Sequence, residues 1–130
     1  MKKYSAIGKV KYRSDWLIIS VNDSIVDYYK TYIEKITGKK ISKSYHDPHI
    51  TIIAGKYYPN VQFHPFWGVH HNKIVKFEYS NEIKTDKEWF FYGNYYWINV
   101  FSPFFNQMRQ ELDLEPESHW PFHLTIGYKQ

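Results

Sequence analysis

A single α+β domain built from two related halves is what this sequence predicts, on three observations. Its 130 residues are a single-domain length, enough to bury roughly two-thirds of the unfolded surface in one core. The order strand, helix, strand occurs twice along the chain. The closing strand of each half carries the same pattern, a histidine, an apolar residue and a threonine, at His49-Ile50-Thr51 and His123-Leu124-Thr125.

In the first half, Tyr4 to Tyr12 alternates, with Ala6, Gly8, Val10 and Tyr12 on one side and Lys9 and Lys11 on the other, the pattern of a strand with one wet face. Trp16 to Val21 is a short apolar run, read as a more buried strand. Asn22, Asp23 and Ser24 offer N-caps, Ile25, Tyr28, Tyr29, Tyr32, Ile33 and Ile36 follow at helical spacing, and Gly38 is a C-terminal stop. A lysine-rich linker leads to the first His-x-Thr strand, over 48–53 and opened by Pro48. In the second half, Trp89–Tyr92 and Tyr95–Phe101 flank Gly93-Asn94, a hairpin signature. Ser102-Pro103 is an N-cap with proline at the first helical position, and Phe104, Phe105, Met108 and Leu112 form the apolar stripe of a second helix. The second His-x-Thr strand follows Pro121 and spans 122–127. Between the halves lie a His-, Pro- and Trp-rich loop (Tyr57 to Asn72) and a strand over Ile74 to Tyr79. With no low-complexity segment and no long linker, residues 1–130 read as one domain.

Composition narrows the function. The absence of cysteine excludes disulfides, thiolate nucleophiles and cysteine-held metal, and fits a reducing cytoplasm. Met1-Lys2-Lys3-Tyr4 is basic but leads into Ser5, Gly8, Lys9 and Lys11 rather than an apolar stretch, so no signal peptide is expected. No apolar run has the length of a membrane span. A net charge of +4 favours anionic partners, too mildly to imply duplex DNA. Aromatic residues make up 21% of the chain, more than a small core needs. Exposed rings are platforms for nucleobases, whose π-faces stack whatever the base.

The paired motifs carry the chemistry. Residues i and i+2 of a strand share a face, so His49 and Thr51 point one way while Ile50 and Ile52 point into packing. His123 and Thr125 likewise oppose Phe122, Leu124 and Ile126. If the halves are related by a pseudo-two-fold, the two pairs converge on a cleft. In-line displacement at phosphorus needs a base on the attacking oxygen and an acid on the leaving oxygen. Histidine, which titrates near neutrality, can serve as either. Threonine hydroxyls can donate to the non-bridging oxygens, where charge gathers. One His-x-Thr strand alone is most often an ordinary half-exposed strand; two copies in the same context are a pattern.

On Pro48-His49-Ile50-Thr51-Ile52 and Phe122-His123-Leu124-Thr125-Ile126, the sequence resembles the two-histidine (2H) phosphoesterase superfamily, which includes 2′-5′ RNA ligase-like proteins and cyclic phosphodiesterases. The resemblance implies a bilobal fold, two pseudo-symmetric lobes of antiparallel strands with helices outside and a central cleft. It also implies catalysis without metal or cofactor by His49, Thr51, His123 and Thr125. Small size and aromatic richness look like the phage anti-CBASS branch, which cuts cyclic di- and trinucleotide immune messengers by attack of the 2′-hydroxyl next to the scissile 3′-5′ linkage. The segment Gly8-Lys9-Val10-Lys11-Tyr12-Arg13 is similar to a base-contacting stretch of that branch, which makes Tyr12 a base-stacking candidate. The sequence ends five residues after Thr125, so closure over a ligand is expected from some other segment.

Other residues are weighed beside these. His46 and His49, three apart, with His70, His71 and His119, raise a metal site as a rival, but His46 and His49 would need a turn of helix to converge, and Pro48 and the β-branched run after it hold the chain extended. No Asp or Glu stands in ligand spacing with them. His64, His70, His71 and His119 read as loop or surface histidines. Trp67, Trp120 and Tyr128 are further substrate-binding candidates, with core or interface packing as the plain alternative for the tryptophans. The expected partner is a cyclic nucleotide or short RNA, with no membrane, in the cytoplasm (the host's, if phage-encoded). The oligomeric state is left open. Cleavage of 2′,3′-cyclic phosphates or 2′-5′ linkages at RNA ends, and sequestration of nucleotides without cleavage, are the competing functions.

Overall fold

A computed structural model describes residues 3–130; Met1 and Lys2, which begin the basic N-terminal stretch, lie outside the described residues. The fold is α+β. Seven strands, β1 (Lys3–Arg13), β2 (Trp16–Ser20), β3 (Ile41–Ser42), β4 (His49–Ala54), β5 (Ile74–Thr85), β6 (Tyr95–Phe101) and β7 (His123–Lys129), join two helices, α1 (Asp23–Thr37) and α2 (Pro103–Glu111). The strands lie in the order β3-β7-β4-β2-β1-β5-β6, and β6 also pairs with β7. The sheet therefore closes into a barrel of six strands, with short β3 added on β7, and every pairing among the described residues is antiparallel.

That closed order has an internal two-fold. Exchanging β1 with β5, β2 with β6 and β4 with β7 leaves the sequence of neighbours unchanged. The registers follow it. Thr51 lies opposite Ile18 and His49 opposite Ser20, while Thr125 lies opposite Trp97 and His123 opposite Asn99. One step further out, Ile18 faces Lys11 and Trp97 faces Lys84. The axis passes between β4 and β7, which meet at Ile50 and Leu124.

The alternation expected of the motif strands is what the chain shows. Ile50, Ile52, Leu124 and Ile126 are fully buried, whereas His49, Thr51, His123 and Thr125 are half-buried on the other face. The buried face is one apolar cluster, joined by Val26, Tyr29 and Ile33 of α1 and Phe105, Met108 and Leu112 of α2. Each helix leans over the motif strand of the other half, α1 over β7 and α2 over β4. The two halves thereby share one core.

Local signals explain the helices. The Asn22 side chain accepts from the Ser24 backbone N–H at 2.8 Å, and Gly38 ends α1 at φ 71°, the left-handed conformation that glycine adopts without strain. Pro103 opens α2 where its missing N–H costs nothing. Arg109 of α2 is buried, with its guanidinium donating to the carbonyls of Ile52 and Glu115 and to the Tyr58 hydroxyl at 2.8–2.9 Å. It fastens the helix to β4 and to the loop before β7.

Three expectations are corrected. Gly93-Asn94 does not turn a hairpin: Phe90–Tyr92 is a 3₁₀ turn, and the partner of β6 is β5, which runs to Thr85 rather than ending at Tyr79. A register shift between Tyr79 and Ile83 accommodates Ser80-Asn81-Glu82, a polar interruption that hides the strand's continuation from a reading of hydrophobic alternation. The lysine-rich linker contains β3, whose Ile41 is buried against β7.

Candidate active site

The two motif histidines are held in the same way. His49 Nδ1 lies 2.8 Å from the carbonyl oxygen of Asp47, and His123 Nδ1 lies 3.0 Å from that of Pro121. In each case the partner is the carbonyl two residues back. A carbonyl only accepts, so Nδ1 carries the proton and donates it. Each neutral ring then leaves Nε2 with its lone pair free. A proline stands at each strand entrance, Pro48 one residue before His49 and Pro121 two before His123; the accepting carbonyl is that of Asp47, the residue before the proline, in one case and that of the proline itself in the other.

Register brings the motifs together. With Ile50 paired to Leu124 in an antiparallel ladder, His49 comes opposite Thr125 and Thr51 opposite His123. The two histidines are then diagonal neighbours, with backbones on the order of 7–8 Å apart. Cavities border both motifs, each histidine lining a different one. Thr51 and His123 line one of about 490 Å³ together with Trp16, Trp120 and Tyr57. His49 lines another of about 560 Å³ with Trp16, Arg13 and Tyr45. Thr125 reaches a smaller one of about 140 Å³ with His46 and Asp47, which also border the His49 cavity. Trp16 is common to the two histidine-lined cavities, and Tyr45, His46 and Asp47 to those of His49 and Thr125, so the hollows adjoin along the open face; the one at Thr125 also reaches Asp23 and Val26 of α1.

Of the substrate-binding candidates, Trp120 stands with Thr51 and His123, mostly exposed. Tyr128 stacks on Tyr95 at 5.1 Å between ring centroids, and the Tyr95 hydroxyl lies 3.1 Å from Thr125 Oγ1. Tyr12 and Trp67 are not brought to the motifs. Tyr12 pairs with Leu17 on the apolar face of the sheet, and its ring packs edge-on against Trp67 at 4.9 Å and near His71. Burial pushes its phenol up from the ordinary value. The face that Tyr12 takes follows from the alternation of β1, which puts Lys11 and Arg13, not Tyr12, on the histidine side.

Reading the sequence missed several residues at the site. Trp16 forms a wall common to two of the cavities. Trp97 lies opposite Thr125 and edge-on to His123, with ring centroids 6.4 Å apart. Tyr95, Trp97 and Asn99 alternate with buried Tyr96, Ile98 and Val100, so period-two counting in β6 gives their common face once the facing strand is known.

The remaining histidines divide by partner. His64 pairs with Asp113 and His70 with Glu111, each at 2.9 Å, and both fasten the central loop to α2 and the turn after it. His46 is exposed beside His49, with ring centroids 6.3 Å apart. Among the described residues, no group of three His, Asp or Glu side chains is placed to hold a metal ion, and no helix is long and apolar enough to cross a membrane. Comparison with protein families, curated proteins and solved structures finds no match to the chain.

Proposed function

We propose that the chain is a phosphodiesterase of the two-histidine type that cleaves 3′-5′ bonds of cyclic di- or trinucleotides. The observation that carries this reading is the matched pair of imidazoles. Both have Nδ1 tied to a backbone carbonyl and Nε2 free, both stand beside a threonine hydroxyl, and neither is bound by a carboxylate. The internal two-fold of the sheet supports two lobes facing across a cleft, with the helices on the outer, apolar side.

In the proposed reaction the 2′-hydroxyl next to the scissile bond attacks phosphorus, and one histidine takes its proton at Nε2. The other, protonated, gives a proton to the departing 5′-oxygen as the P–O5′ bond breaks. The first product is a linear species ending in a 2′,3′-cyclic phosphate. Water then opens that ring with the two histidines exchanging roles. Thr51 and Thr125 donate to the non-bridging oxygens as charge builds there.

The walls favour a substrate with a base on each side of the bond. Trp16 and Trp120 flank Thr51 and His123, and the Tyr95, Trp97 and Tyr128 rings flank Thr125. Such a substrate is an internal diester, not a terminal cyclic phosphate. A cyclic messenger of phage-targeted immunity fits this description, with the cytoplasm (the host's, if the chain is phage-encoded) as the place of action.

A panel of cyclic dinucleotides, cyclic trinucleotides and RNA ending in 2′,3′-cyclic phosphate, incubated in excess EDTA, tests the reading. Linear products from the cyclic oligonucleotides are expected. Cleavage of the RNA ends alone would replace this substrate class with the rival one. Tight binding with recovery of intact nucleotide would mark a sequestering protein, and activity lost to EDTA would overturn the mechanism.

A further inference from the structure

The two-fold that relates the motifs is broken at the threonines. Thr51 faces Ile18 across its ladder, an aliphatic side chain that offers no hydrogen bond. Thr125 has the Tyr95 hydroxyl 3.1 Å from its Oγ1. That phenol is built into place. Its ring lies between Trp97, at 4.9 Å and 28°, and Tyr128, at 5.1 Å and 27°, so three stacked rings fix its plane. Its backbone is fixed at both ends: the N–H donates to the Asp86 carboxylate at 3.2 Å, and the carbonyl accepts from the Thr85 hydroxyl at 2.9 Å. Between Tyr96 and Trp97 the ladder skips Ile126 of β7, so Tyr95 pairs with Tyr128 while the ladder partner of Thr125 is Trp97.

A phenol is a stronger acid than an alcohol, so Tyr95 donates and Thr125 Oγ1 accepts. The single Thr125 proton is then directed away from Tyr95, toward the open face. A hydroxyl that accepts one hydrogen bond is polarised and becomes a better donor of the next. Burial also pushes the Tyr95 phenol up, which keeps its proton in place through neutral and mildly alkaline pH.

Resting on the phosphodiesterase reading above, we infer that Tyr95 is a positioning residue: it orients and strengthens the Thr125 hydroxyl as the main donor to the phosphoryl oxygen and makes the two motifs chemically unequal. Thr51, without such support, contributes less.

A double-mutant cycle on cyclic-dinucleotide turnover in excess EDTA tests this. Thr125→Val is expected to lower kcat by about 100-fold, the scale of one lost oxyanion donor, and Thr51→Val by less. Tyr95→Phe keeps the stacked ring and removes one hydroxyl; it is expected to lower kcat about tenfold, as one hydrogen bond would, with KM unchanged. In a Thr125→Val background Tyr95→Phe should cost nothing further, whereas with Thr51→Val the two losses should multiply. The cycle separates positioning from simple support of the fold, because a structural defect would persist without the Thr125 hydroxyl. Full kcat in Tyr95→Phe, or an equal loss in both backgrounds, overturns the positioning role while leaving the phosphodiesterase reading intact. A wild-type chain that cleaves no diester overturns both.

Discussion

At the residue scale the proposed chemistry turns on which nitrogen of each histidine is free. The bonds from His49 Nδ1 to the Asp47 carbonyl and from His123 Nδ1 to the Pro121 carbonyl decide it for both. A base at one Nε2 and an acid at the other require one neutral and one protonated ring, so kcat/KM should follow a bell in pH with two limbs. His123→Ala should remove the limb that His123 supplies along with most of the rate. A profile with one limb would show that only one ring takes part. The same scale holds a stability prediction. Arg109 donates to two buried-side carbonyls and a phenol, and Arg109→Ala would leave them unpaired beside a void. The expected cost is roughly 3 kcal/mol or more, read as a shift in the denaturant midpoint. The four motif residues were legible in the sequence because period-two alternation is local. Tyr95 and Trp16 were not, because their relation to the histidines depends on strands far apart in the chain.

At the element scale, β7 bears the most constraint. It carries one motif, pairs with β6 on one edge and shares the other between β4 and β3. At Gly127 a side chain would have no room: a Cβ there would fall 2.5 Å from the Ser42 carbonyl oxygen and 2.6 Å from Ile41 Cγ2. Gly127→Ala should therefore push β3 away from β7 and lower the unfolding midpoint, and hydrogen exchange should quicken at Ile41 and Lys129 before it does in β1. Unchanged exchange there would contradict the packing described. Asp86 gives a pH prediction. The backbone N–H groups of Asn94 and Tyr95 hold its carboxylate below the usual range. A depressed folded value means that its stabilisation is complete above the unfolded value of about 3.9 and fades as pH falls through the lower folded one. Asp86→Asn should accordingly flatten the acid side of the stability profile below about pH 4 while the neutral side shifts by a constant. Both helices were legible from capping and spacing, since Asn22, Gly38 and Pro103 act within one turn. The extent of β5 and the fate of Gly93-Asn94 were not, because a bulge over polar residues erases alternation and a turn signature carries no information about which strand pairs with which.

At the scale of the whole molecule, the repeated strand-helix-strand plan visible in the sequence corresponds to the two-fold of the closed sheet, and that symmetry is what puts two imidazoles diagonally across one ladder. Closure of the barrel itself could not be read in advance, as it depends on β6 reaching β7. The symmetry is structural rather than chemical: Ile18 stands where Trp97 stands in the other half, and Ser20 where Asn99 does. The proposed joint action of both histidines on one phosphodiester is probed by turnover of cyclic di- and trinucleotides in EDTA by wild type, His49→Ala and His123→Ala. Linear products from the wild type are predicted, with the rate falling at least 100-fold in each single variant and nucleotide binding retained. Near-full turnover in either variant would show that the two histidines do not act as an acid–base pair.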